Sequence, residues 1–152
     1  MAPTPREMFE TISSYFRSCS AADSEGIIAC LNADAVHYFP GLPPVRGAKR
    51  IAALWVGLVE GQGSQWTIDK FLAGEDGAVI EWTHFKTKKG QLLRGVEWYT
   101  FDSEGKIAEL KAYYAAPQDP LSRKVQLRGY PYRKRGYPMR SPTRPPVRAP
   151  KG

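Results

Sequence analysis

Three ionisable side chains lie in stretches that otherwise read as apolar strands. Glu97 sits in Val96-Glu97-Trp98-Tyr99-Thr100-Phe101, Glu81 in Val79-Ile80-Glu81-Trp82-Thr83-His84-Phe85, and His37 in Asp34-Ala35-Val36-His37-Tyr38-Phe39. A carboxyl group in apolar surroundings loses hydration, and a second carboxylate nearby raises its pKa further. Such a pair suits general acid–base chemistry near neutral pH. Side chains alternate across a strand. One face of residues 79–85 therefore carries Glu81 and Thr83, and one face of residues 95–101 carries Glu97 and Tyr99. If these faces line the concave side of a sheet, both glutamates point into it together. His37 lies two residues before Phe39 and shares its face. There it would be the proton acceptor best tuned to neutral pH. The structural alternatives are a Glu97 solvated at a sheet end or bonded to Tyr15, and a His37 at the rim.

The elements that must position these groups follow from periodicity. Met8, Phe9, Ile12, Tyr15, Phe16 and Cys19 recur at spacings of three and four, which predicts a helix over residues 5–22 with Pro5 in its first turn. Asp23 or Ser24 can cap a second short helix over 25–31. A strand over 34–39 and an amphipathic helix over 47–60 follow. Between them Pro40-Gly41-Leu42-Pro43-Pro44 reads as a loop, because proline supplies no ladder N–H. From residue 65 the period becomes two, giving strands at 65–73, 77–87, 91–102 and 106–115. Glu75-Asp76-Gly77, Lys88-Lys89-Gly90 and Asp102-Ser103-Glu104-Gly105 connect them as glycine-ended hairpins. Helices followed by a meander predict an α+β domain, with helices on one face of a curved antiparallel sheet. The remaining face, expected to hold Trp82, His84 and Trp98, needs a cover. A homodimer through that outer face is the simplest one, and a C-terminal tail folded over it is another.

The net charge of +7 is unevenly spread. Residues 1–119 hold 12 basic and 15 acidic side chains, whereas residues 120–152 hold 10 basic side chains, no acid and seven prolines. This predicts a domain over 1–119 and an extended basic Pro/Arg/Tyr-rich tail over 120–152. Arginine and tyrosine interleaved in RGYPYRKRGYPMR can contact phosphates and stack on bases, so nucleic-acid binding, if any, would run through the tail. Cys19 and Cys30 are the only cysteines, which gives no disulfide framework. With two histidines on different strands and no ligand-spaced cluster, no metal site is expected. No glycine-rich cofactor fingerprint occurs, so no cofactor is expected. No run is long enough to span a membrane and the N-terminus lacks a secretory pattern, so the expected setting is cytoplasmic.

The order of elements resembles the nuclear transport factor 2-like superfamily, the cone-shaped α+β fold that includes SnoaL-like polyketide cyclases and ketosteroid isomerases. The resemblance covers residue 6 to about residue 118. It is carried by Asp34-Ala35, Phe39-Pro40-Gly41, Pro43-Pro44-Val45-Arg46-Gly47, Ile51-Ala52-Ala53, the segment Val96 to Asp102, Gly105-Lys106-Ile107 and Ala112-Tyr113-Tyr114. Ketosteroid isomerase is the nearest template, with an oxyanion hole made of a tyrosine and a protonated aspartic acid. The resemblance puts Tyr15 in the tyrosine's place and Glu97 in the aspartic acid's place. It puts Trp55 where a supporting tyrosine stands, and Leu110, Ala112 and Tyr114 along the rear wall. Two departures stand out. Phe39, or Tyr38 if the loop is gapped differently, occupies the place of the isomerase's base, and Ala115 the place of the cyclases' base.

These observations lead to a cofactor-independent acid–base enzyme acting on a small hydrophobic carbonyl-containing metabolite, as an isomerase, cyclase, dehydratase or hydrolase. His37 is the expected base, Glu97 the acid or hydrogen-bond donor, Tyr15 the oxyanion partner and Glu81 a tuner or second base. Phe39, Trp55, Thr83, Tyr99, Leu110, Ala112 and Tyr114 would bind the substrate. The rival is a ligand-binding or scaffold protein of the same fold, silent because both familiar bases are absent.

Overall fold

The computed structural model describes residues 1–39, 42–114, 131 and 133–140. The expected domain boundary at 119/120, Ala115 and much of the basic tail lie outside the described residues. Helix α1 (Pro5–Ser20) is started by a reciprocal cap. Thr4 Oγ1 accepts the Glu7 N–H and the Glu7 carboxylate accepts the Thr4 N–H, satisfying two donors that the first turn leaves open. Its predicted apolar stripe is buried except for the half-buried Phe9, whose ring meets Phe71 edge-on at 5.0 Å. Asp23 caps α2 (Ser24–Cys30) by accepting the Gly26 N–H at 3.0 Å. Helix α3 (Ala48–Gln62) ends on Gly63, whose φ of 65° is left-handed, a conformation glycine adopts without a Cβ penalty.

Six strands form one sheet in the order β2-β1-β6-β5-β4-β3. They are β1 (Leu31–Phe39), β2 (Leu42–Arg46), β3 (Ser64–Gly74), β4 (Gly77–Lys86), β5 (Gln91–Phe101) and β6 (Ile107–Tyr113). All neighbours are antiparallel except β1 and β6, which are parallel. This is the curved α+β architecture expected, with one addition. The proline-rich stretch read as a loop contains β2. It sits at the sheet edge and pairs with β1 through Val36–Arg46, His37–Val45 and Phe39–Leu42. Pro43 and Pro44 are tolerated there because an edge strand does not need every N–H.

The register of β4 on β5 corrects the expected faces. The connection is four residues long, a turn of 3₁₀ helix (Thr87–Lys89) plus Gly90, so Lys86 pairs with Gln91. Ile80, not Glu81, therefore stands opposite Glu97, while Trp82 stands opposite Gly95 and His84 opposite Leu93. A three-residue connection would have paired the two glutamates; one residue of slip turns every side chain of a strand to the other face. Trp82 and His84 thus face inward, under the helices. Glu81 and Thr83 face outward. Gly95 makes room for this, because a Cβ there would lie 2.4 Å from Trp82 Cζ2.

The outer face carries a polar cluster. A bulge at Asp69 in β3 turns its carboxylate outward, where it accepts hydrogen bonds from Thr67 Oγ1 (2.7 Å) and Thr83 Oγ1 (2.6 Å). Burial raises the Asp69 pKa, and the two hydroxyls partly offset the rise. Arg94, itself buried, donates to Thr83 Oγ1 and to the Pro138 carbonyl, both at 2.7 Å. The Tyr137 hydroxyl donates to Glu81, and its ring is buried beneath the cations of Arg94 and Lys70. Tyr137, Pro138 and Met139 of the C-terminal segment thus lie against part of this face. Beside them Val96, Trp98 and Tyr113 are exposed. The apolar cover expected over Trp82 is provided by the protein's own interior. No helix among the described residues is long and apolar enough to cross a membrane.

Candidate active site

A cavity of about 360 Å³ opens between the sheet's concave face and the helices. Helix α1 contributes Tyr15, Phe16 and Cys19 to its wall, and α3 contributes Leu54, Trp55, Leu58 and Gln62. The sheet supplies His37 and Phe39 from β1, Trp66 from β3, Trp82 and His84 from β4, Glu97 from β5 and Ala112 from β6, with Tyr114 just beyond. The lining is mostly aromatic and aliphatic, with a few converging polar groups, which is the usual composition of a small-molecule site.

Glu97 is buried at the cavity wall. Its Oε1 lies 2.9 Å from His37 Nε2. The pair is off the line of a well-directed hydrogen bond, so it is a close polar contact rather than a linear N–H···O, and becomes an ion pair only when the ring carries a second proton. Its Oε2 accepts a 2.7 Å hydrogen bond from the Tyr99 hydroxyl. Tyr99 is fully buried. Burial first, then the neighbouring Glu97 carboxylate, hold its phenol well above the ordinary range, so it stays a donor. The His37 ring stacks on Phe39 at 4.0 Å and stands 5.3 Å from the Trp55 ring. Its Nδ1 has no hydrogen-bond partner among the described residues.

Tyr15 accepts a 2.5 Å hydrogen bond from Trp55 Nε1. Burial, together with Cys19 and Glu97 nearby, pushes its phenol well above 10. Its own O–H is then available to an acceptor, with Cys19 sulfur as the protein partner. Burial pushes the Cys19 thiol up as well, which argues against a nucleophilic thiolate. The second histidine behaves differently. His84 stacks on Trp66 at 4.5 Å and its Nε2 lies 2.7 Å from Ser64 Oγ. Burial, with a smaller push from Lys86, lowers its pKa to about 3. It is neutral at any working pH, whereas His37 faces a carboxylate.

Of the residues singled out in the sequence, Tyr15, His37, Glu97, Phe39, Trp55, Ala112 and Tyr114 line this one cavity. Tyr99 and Leu110 are fully buried behind its wall. Tyr99, not Tyr15, is the hydroxyl on Glu97. Glu81 and Thr83 lie on the opposite face of the sheet, so neither meets a ligand in the cavity. The sequence reading missed Trp66, Trp82, His84, Leu54, Leu58 and Gln62. The last three are spaced four apart on α3, a stripe that could have been read; Trp82 and His84 depended on the hairpin register.

A SnoaL-like domain model matches residues 12–110. The chain belongs to the SnoaL-like family. Its cone of helices and curved sheet is that of the nuclear transport factor 2-like superfamily. A crystal structure of a protein of unknown function with a cystatin-like fold, from Methylobium petroleophilum PM1, is 39% identical. The match covers 96% of this chain and 100% of that one, with a TM-score of 0.74. An M. tuberculosis LEH-like epoxide hydrolase is 18% identical over 72% of this chain and 84% of its own, with a TM-score of 0.63. That second likeness is one of fold. No curated protein matches the chain.

Proposed function

We propose that this SnoaL-like protein is a cofactor-independent enzyme that moves a proton beside the carbonyl of a small hydrophobic substrate. The observation that carries this reading is the buried His37–Glu97–Tyr99 chain at the wall of an otherwise apolar cavity. With the proton of neutral His37 on Nε2, beside Glu97, Nδ1 holds a lone pair and acts as the base. The proton taken from the α-carbon makes His37 cationic, and Glu97 Oε1 faces the new charge. Tyr99 holds the other carboxylate oxygen, so Glu97 cannot swing away. Tyr15 donates to the substrate oxygen as negative charge builds on it, its lone pair already engaged by Trp55. Return of the proton at another carbon gives isomerisation; loss of a β-hydroxyl gives dehydration. Glu81 has no part in this sequence. His37 is a base at a position other than the two familiar in this fold, which are occupied here by Phe39 and Ala115.

Stacking of tail tyrosines on bases finds little support, because Tyr137 is buried against Glu81. We also propose self-association through the outer face, supported by the exposed Val96, Trp98 and Tyr113.

The test is α-proton exchange of 2-tetralone in D₂O, followed by mass spectrometry. The wild type is expected to accelerate exchange, and His37→Gln to lose that acceleration by about 10²- to 10⁴-fold, the usual share of a general base. Equal rates in the two proteins, with the variant folded, would remove His37 from the reaction. No acceleration by the wild type would refute proton abstraction beside a carbonyl.

A further inference from the structure

The cavity carries a second polar cluster that the proposed chemistry does not use. Gln62, Lys86 and Gln91 all line it. Contacts between elements bring the three together. Gln62 ends α3 beside Gly63, and Lys86 ends β4 beside Thr87. Thr87 Oγ1 donates to the Gly63 carbonyl at 2.7 Å, which joins these two chain ends. The Lys88 ammonium adds a hydrogen bond to the Glu60 carbonyl. Gln91 is the cross-strand partner of Lys86. All three side chains are half-exposed, whereas Tyr15, His37 and Glu97 are buried. The cluster therefore stands at the mouth of the cavity, and the His37–Glu97 pair at its closed end.

Lys86 is a cation without an anion. Its ammonium has no carboxylate partner among the described residues, and Glu97 is the only acid among those that line the cavity. Partial burial first, and Lys89 next, hold the ammonium below the ordinary lysine range. Its charge reaches His84, whose pKa it lowers further, while Tyr15 and Cys19 feel the charge of Glu97. The two charges thus act on different parts of the wall. A cation partly withdrawn from water is stabilised when an anion comes beside it. Each glutamine amide can add an N–H donor. One ammonium flanked by two amides suits the two oxygens of a carboxylate. We infer that the substrate is an apolar keto acid: its carbonyl enters the closed end, between Tyr15 and His37, and its carboxylate stays at the mouth on Lys86, with Gln62 and Gln91 beside it. This rests on the proposed reading of the His37 end as the carbonyl site. It makes Lys86 a specificity-determining residue that takes no part in proton transfer.

Two probes of matched shape test this. 2-Tetralone-6-carboxylic acid and its primary carboxamide share the ring ketone and differ in charge at the far end. The wild type is expected to bind the acid more tightly than the amide at pH 7. Lys86→Met keeps the apolar stem and removes the charge. It is expected to lower the acid-to-amide affinity ratio by about 3- to 30-fold, between the worth of a screened ion pair and that of a charge-assisted hydrogen bond. Lys86→Arg, which keeps the charge, is expected to retain most of the ratio. In the wild type, added salt should weaken binding of the acid and not of the amide, a readout that needs no variant. Equal affinities for the two probes, a ratio that survives Lys86→Met, or failure of both probes to bind would each refute the carboxylate site. Accelerated proton exchange of 2-tetralone itself would then leave the proposed chemistry standing. A ratio that falls as expected, in a protein that does not accelerate that exchange, would keep the carboxylate site and overturn the chemistry.

Discussion

Replacing His84 with glutamine should flatten the acid side of the protein's stability curve. In the folded chain His84 titrates at about 3, because burial disfavours its charged form and Lys86 adds to this. In the unfolded chain it titrates near the ordinary 6.5. Between these values the unfolded chain binds the extra proton, so stability is lost as pH falls below about 6.5. At pH 5 the unfolded state gains about 1.5 pH units of protonation, worth about 2 kcal/mol at 1.36 kcal/mol per unit. At pH 7 the effect is only about 0.2 kcal/mol. Glutamine can keep a hydrogen bond to Ser64 without titrating. Urea unfolding at pH 7 and pH 5 should therefore show the wild type losing about 2 kcal/mol more than His84→Gln across that interval. Other groups titrate in both proteins and cancel in the difference. Parallel losses in the two proteins would mean that His84 is not held neutral in the folded chain.

Gly95→Ala places a methyl 2.4 Å from Trp82 Cζ2, so the indole must move into the cavity. The expected cost is about 1–3 kcal/mol in urea unfolding, with weaker probe binding; a change within about 0.5 kcal/mol would show that Trp82 does not lie on Gly95. Tyr137→Phe removes the hydroxyl that Glu81 accepts. It should cost about 1.5–3 kcal/mol as a hydrogen bond to a charged group, and an unchanged midpoint would detach the C-terminal segment from the outer face in solution. Trp98→Arg puts a charge in the exposed apolar part of that face. The wild type should elute as a dimer and the variant as a monomer in size-exclusion chromatography; a monomeric wild type, or a dimeric variant, rules out self-association there.

What could be read from the sequence divides along a physical line. Features set within one element were legible. Pro5 and the stripe from Met8 to Cys19 announce α1, because both are local consequences of helical geometry. His37 shares a face with Phe39 because alternation within one strand needs no knowledge of its partner. Features set between elements were not. Whether Glu97 shares its face with Glu81 or with Ile80 turns on whether Thr87 belongs to β4 or to the connection. Thr87 and its lysine neighbours suit either reading. The strand β2 was hidden for another reason: Pro43 and Pro44 argue against a strand everywhere except at an edge, and a sequence does not say which strand is the edge. Tyr137 on Glu81 joins positions 56 residues apart through a segment whose composition alone reads as extended.

The most direct test is a crystal structure of the wild type soaked with 2-tetralone. Density for the probe is expected inside the cone, with its ketone oxygen about 2.7–3.2 Å from the Tyr15 hydroxyl and an α-carbon facing His37 Nδ1. A probe bound elsewhere, or one in the cavity with its carbonyl turned away from both Tyr15 and His37, would contradict the proposed chemistry.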